Sequence, residues 1–223
     1  MKRFFIALGL VLISLIFGGI ILASSRQNQK KPDHLMRVKY IDVEDERIKK
    51  AFDEVFSTYT KLHPYEVILS RKRLKNSTMA AQPIVDFSTL FGNEKKYKIK
   101  LGYYVRDAKD LKVSELPEKV LRGWFAHELG HLVDYEYRSN LSMIGYGIRY
   151  SFSDDFKKDV EHQADSIAIE HGFHEEIIAT KRFLLEHDLV SEEYKEQLNK
   201  FYMPISGVEM CVEQNKNLRP TLD

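Results

Sequence analysis

The sequence predicts an α+β protein: a small mixed sheet toward the N-terminus, a mainly helical remainder, and one N-terminal transmembrane helix ahead of both. Three observations predict it. Phe4 to Ala23 is almost wholly apolar. Short strand-like runs fall between residues 67 and 105. Beyond Pro117, apolar residues recur at helical spacing, the mark of amphipathic helices.

The apolar run is about 20 residues, or about 30 Å as a helix, which matches a bilayer core. Met1-Lys2-Arg3 precedes it as a positive head, and Ala23-Ser24-Ser25 has the small side chains of a cleavage site. The run exceeds the usual apolar core of a signal peptide, so residues 1–25 are expected to be an uncleaved signal or membrane anchor. Residues 26–34, rich in Gln, Asn, Lys and Pro, read as a polar tether. Basic residues lie on both sides of the run, so the charge rule gives no firm orientation. The short basic head favours a domain outside the cytoplasm.

Residues 35–223 suffice for one domain with a sizeable core. Formal charge is +1; without Lys2 and Arg3 it is +1 − 2 = −1. No basic field for nucleic acid results. The single cysteine, Cys211, cannot form an intrachain disulfide and reads as a small buried apolar residue.

Val43 to about Leu62 shows helical periodicity, with Ile48, Ala51, Phe52, Val55, Phe56 and Tyr59 on one face. Strand-like runs follow at Val67–Ser70, Ile84–Phe87 and Tyr97–Val105, with a turn at Gly92-Asn93-Glu94. Tyr97-Lys98-Ile99-Lys100-Leu101 alternates as a half-exposed strand should. Ser114 and Pro117 then open a helix whose apolar face is Leu121, Trp124, Phe125, Leu129, Leu132 and Val133. Another helix is expected from Ser153 to a stop at Gly172. Two more follow, about Glu175–His187 and Glu192–Tyr202, with Pro204 ending the second.

The first of these later helices carries His127-Glu128-Leu129-Gly130-His131, an HExxH pattern. Residues i and i+4 share a helix face, so both imidazoles can meet one Zn²⁺. Glu128 points slightly around the helix, where it reaches a water at the metal. Mid-helix Gly130 costs about 1 kcal/mol relative to Ala, which suggests close approach of another backbone or of substrate.

Catalytic zinc needs a third protein ligand and an open fourth position. Glu161 is the best candidate, with Asp165 four residues on and able to hold the outer N–H of a ligand histidine. His162, His171 and Asp134 are the rivals. His162 projects about 100° away from Glu161, and His171 reads as a cationic helix end.

HELGH followed by Glu161-His162-Gln163-Ala164-Asp165 resembles the gluzincin branch of zinc metallopeptidases, above all its membrane-associated members. The resemblance covers residues 117–172. It implies a minimal zincin-like domain in which His127, His131 and Glu161 bind zinc, Glu128 is general base and Asp165 supports a histidine. The separation between His131 and Glu161 would then hold a loop. In zincins an edge strand beside the site pairs with extended substrate; Tyr97–Val105 or Ile84–Phe87 would play that part.

The expected function is a membrane-tethered zinc endopeptidase acting on protein or peptide substrates. Candidates to steady the oxyanion are Tyr135, Tyr137, His171, His174 and Tyr202. A noncatalytic zinc-binding or interaction domain is the main rival, although a structural site needs no base and usually has four protein ligands. A nonpeptidase hydrolase with the same metal chemistry is the other.

Overall fold

A computed structural model describes residues 37–85, 95–108 and 110–218. The apolar N-terminal run, the polar tether and the expected turn at Gly92 lie outside these residues. Among the described residues no helix is long and apolar enough to cross a membrane. The architecture is α+β: a four-stranded mixed sheet and a mostly helical remainder.

The strands are β1 (Val38–Ile41), β2 (Glu66–Arg71), β3 (Met79–Pro83) and β4 (Lys96–Leu101). Their order is β1-β2-β4-β3. β1 is parallel to β2 and β2 to β4, whereas β3 runs antiparallel to β4 and forms one edge. In β4 the expected alternation holds: Tyr97, Ile99 and Leu101 are buried and the lysines between them are half-buried.

The helices are α1 (Glu46–Thr58), α2 (Glu118–Glu136), α3 (Ser142–Phe152), α4 (Asp154–Glu170), α5 (His174–Glu186), α6 (Glu192–Phe201) and α7 (Ile205–Leu218). Asp45 caps α1 by accepting from the Arg47 and Ile48 N–H groups. A 3-10 turn, Thr60–Leu62, completes the segment expected as one helix. Ser153 caps α4 through the Phe156 N–H, and Gly172 ends it with a φ of 91° that glycine adopts without strain.

α2 is the axis of the domain, buried along most of its length. Phe52 and Phe125 meet edge to face at 5.2 Å, joining α1 to α2. β3 packs on α2, as do α4 and α5. A Cβ on Gly130 would lie 2.5 Å from the Ala164 carbonyl oxygen, and one on Gly123 would meet the Glu176 carbonyl and the Thr180 hydroxyl. These glycines let α4 and α5 approach α2 closely. The expectation for Gly130 is met by another helix's backbone.

Several boundaries depart from expectation. Strand β3 lies at Met79–Pro83, ahead of the expected Ile84–Phe87, of which positions 86 and 87 lie outside the described residues; the Ile84 N–H still bonds the Lys96 carbonyl. Pro83 is tolerated because its nitrogen falls on the side facing away from β4. The last strand stops at Leu101, and the next residue, Gly102, still gives its N–H to the Thr78 carbonyl at a place where a side chain would be crowded. The gap between His131 and Glu161 holds a helix, α3, in place of a plain loop. Pro204 does not merely stop α6; its carbonyl accepts the Val208 N–H and so starts α7.

Candidate metal centre

His127 and His131 project from the middle of α2, and Glu161 faces them from α4. All three are buried, Glu161 to 1% exposure. Their ligand atoms lie within 4.8 Å of one another. His127 Nε2 is 3.0 Å from Glu161 Oε2 and 3.1 Å from His131 Nε2, and His131 Nε2 is 3.5 Å from the same carboxylate oxygen. Tetrahedral zinc with bonds of about 2.0–2.1 Å has ligand–ligand edges of about 3.3–3.4 Å. The three separations bracket that edge. Two ring nitrogens facing each other need either a proton or a cation between them, so the donor set fits a metal ion.

Asp165 stands behind His127. Its Oδ1 lies 3.0 Å from His127 Nδ1, and its Oδ2 accepts from Lys181 Nζ at 2.8 Å and from the Met203 N–H at 3.3 Å. A carboxylate only accepts, so Nδ1 carries the proton and Nε2 is left to face the cluster. Burial alone would push the Asp165 carboxyl upward, but Lys181 and His127 outweigh it and hold it below the usual range. Burial opposes the charge on Glu161 too; hydrogen bonds from both histidines prevail and keep it well below the usual range. Burial also opposes protonation of His127. Its bonds to Asp165 and Glu161 overcome this, and with no metal bound its pKa rises to about 10.

Glu128 is outside the three-residue cluster yet beside it. It is 7% exposed, and its Oε2 has no hydrogen-bond partner. Burial raises its pKa, which the histidines and an N–H from Ala81 partly offset. It lines a cleft with Trp124, His127, Lys157, Tyr194 and Tyr202. A buried carboxyl of raised pKa in a cleft suits a group that takes and returns a proton.

The rival ligands stay apart. Asp134 accepts from Arg138 and Tyr146. His171 stacks on Tyr59 at 3.9 Å and its Nδ1 meets the Thr58 carbonyl. His162 is not in the cluster. Of the oxyanion candidates, the Tyr202 ring lies 5.5 Å from that of His127, and Tyr135 lies 6.2 Å from His131. Burial drives both phenols well above their ordinary pKa, so both stay neutral donors. Tyr137 is 70% exposed and bonds Lys61, and His174 sits outside the cleft at the start of α5.

Two site residues escaped sequence reasoning. The Tyr150 hydroxyl on α3 donates to Glu161 Oε1, and Lys181 on α5 braces Asp165. Neither stands near a recognisable pattern; only the packing of α3 and α5 brings them in.

The edge strand beside the site is β3. The Thr78 carbonyl and the Ile84 N–H bond β4, so the even-numbered positions face β4 and the odd-numbered ones face outward. Ala81 is among the latter. It gives its N–H to Glu128, and its carbonyl lies 3.5 Å from the Tyr135 hydroxyl. No family model, curated protein or solved structure matches this chain.

Proposed function

We propose that the chain is a membrane-tethered, zinc-dependent endopeptidase with a minimal zincin-like fold of the gluzincin type. The observation that carries the reading is the convergence of His127 and His131 from α2 with Glu161 from α4, while Glu128 stands beside them in the cleft and outside the cluster. A structural zinc site closes on four protein ligands. Among the described residues only three gather here, and a neighbouring base has no use in a structural site.

Zinc held by these three residues would polarise the scissile carbonyl and acidify a water. Glu128 takes the water's proton and returns it to the leaving amine. Its burial raises its pKa, which favours a group that both takes and returns a proton. Tyr202 and Tyr135 are the neutral donors nearest the histidines, suited to a developing oxyanion. The outward edge of β3 at Met79 offers an extended substrate a backbone to pair with, whereas the outward N–H and carbonyl of Ala81 already meet Glu128 and Tyr135. Such pairing asks little of the substrate's side chains, which favours protein or peptide substrates of varied sequence.

The test combines metal identity with catalysis. Anomalous scattering at the zinc edge should place one ion between His127, His131 and Glu161. The zinc-loaded full chain should cleave an unstructured protein, and Glu128→Gln should keep the metal while losing about 10²–10⁴-fold in rate. Bound zinc with no cleavage by either protein would favour the noncatalytic interaction domain.

A further inference from the structure

We infer that α3 is a membrane-seating helix, laid in the headgroup–acyl boundary of a lipid bilayer; the inference rests on the membrane tethering proposed above. Leu141 is 66% exposed, Ile144 42%, Ile148 55% and Phe152 79%, with Tyr137 just ahead at 70%. At about 100° per residue, residues 141, 144, 148 and 152 occupy an arc of about 80°. Met143, Tyr146 and Tyr150 point the opposite way. Met143 and Tyr146 are buried, and Tyr150 reaches Glu161. This helix therefore has two apolar faces, one against the protein and one that is exposed and packed on nothing among the described residues.

A contiguous exposed apolar stripe marks an interaction surface, and three features name lipid as its occupant. First, the chain carries the Phe4–Ala23 run, which is long enough to span a bilayer. Only the 14 residues from Ser24 to Arg37 separate it from β1, and they reach at most about 50 Å.

Second, the chain enters the domain at the end that carries the stripe. Val38 pairs with Val67, and Tyr65, two residues before it, donates to Glu136 at the end of α2. Tyr137 and α3 follow directly. Entry point and stripe thus lie on the order of 20 Å apart by strand spacing and side-chain reach, well inside the tether's span.

Third, the stripe is uncharged. Arg149 is the only charged residue of α3, and it folds over the Phe156 ring at 4.1 Å. Apolar insertion into neutral lipid is the mode that fits. The tether raises the local concentration of bilayer, so a short stripe suffices. Seating α3 this way puts the metal cluster about one helix thickness, roughly 10 Å, from the lipid boundary. That height suits substrates whose cleavable segments emerge from the same membrane.

The test uses the full chain with Cys211→Ser, reconstituted at one chain per phosphatidylcholine nanodisc. One environment-sensitive fluorophore is placed at Ile148→Cys or, as control, at the exposed Glu193→Cys on α6. The label at 148 should be about fivefold less quenched by iodide than the label at 193, and quenched by brominated acyl chains when 193 is not. Adding Ile144→Glu and Phe152→Glu should restore iodide access at 148 without removing the chain from the disc. Equal iodide access at the two sites overturns the inference. So does shielding that appears only with two chains per disc, which would assign the stripe to self-association. A chain that fails to float with the discs sinks the tethering as well. Cleavage of an unstructured protein, read in parallel, reports on the protease separately.

Discussion

Gly130→Ala sets helix propensity against helix packing, and the two predict opposite signs. By propensity alone Ala stabilises the middle of α2 by about 1 kcal/mol. The added Cβ would stand 2.5 Å from the Ala164 carbonyl oxygen and 3.1 Å from its carbonyl carbon. Ordinary contact begins at 3.4 Å, so α2 and α4 must part by 3.4 − 2.5 = 0.9 Å. Overpacking of this kind costs about 1–3 kcal/mol, leaving a net loss of up to about 2 kcal/mol. The same movement would act on a metal held between the two helices. His131 adjoins Gly130, and Glu161 lies one turn before Ala164. Their ligand atoms are already 3.5 Å apart, and a zinc site tolerates errors of about 0.2 Å. Zinc affinity should fall at least about tenfold, the scale of losses from disturbed ligand support. Thermal unfolding and chelator competition measure the two effects. Gly123→Ala is the control: it crowds α5 at Glu176 and Thr180, away from the ligands, so it should lose stability with less loss of zinc. A Gly130→Ala protein that is more stable, with unchanged zinc affinity, would refute the close-packed reading of the site.

Other residues around the cluster give further outcomes. Lys181→Met frees Asp165 from its cationic brace and should weaken zinc about 10–100-fold; unchanged affinity in chelator competition would remove Lys181 from the site. Tyr150→Phe deletes the donor to Glu161 and should weaken zinc severalfold, on the scale of one hydrogen bond of about 0.5–1.5 kcal/mol; equal affinity would make that bond incidental. Because the metal-free His127 pKa is raised to about 10, zinc must displace a proton at any pH below that. Apparent affinity should therefore climb about tenfold per pH unit from about 7 toward about 10. Calorimetry in buffers of different ionisation enthalpy should find about one proton released at pH 8; none released would contradict the His127 assignment.

Much of the site was legible because its spacing is local. His127 and His131 are one turn apart, and Glu161 and Asp165 another, so helix geometry alone aligns each pair. Ser153 and Gly172 bound α4 through short-range capping, which is also written in sequence. The residues that brace the pairs were not legible. Lys181 reaches Asp165 across 16 positions, and nothing near either residue announces the partner. Among fold elements, β1 has only four residues, half-buried and exposed in turn, too weak a signal to separate from coil. α3 was hidden for a different reason. Gly145 and Gly147 lower its propensity, and its apolar residues lie on opposite faces, so no single amphipathic stripe emerges. α7 was obscured by Pro204, which reads equally as the end of one helix or the start of the next.

The buried charges suggest why these particular residues share one place. Glu161, Asp165 and Glu128 are three buried carboxylates, and Lys181 is the cation paired with Asp165. Buried charges persist only when they are compensated. With no metal, compensation comes from protons: His127 is held in its charged form, and burial pulls Glu128 toward its neutral one. A divalent cation held by His127, His131 and Glu161 would take over that compensation. It would also let His127 give up its proton and favour the charged form of Glu128. The state in which Glu128 can accept a proton from water would thereby be favoured when a dication is bound. Metal binding and readiness of the base would then be one electrostatic event, with Lys181 holding Asp165 in its charged form behind His127.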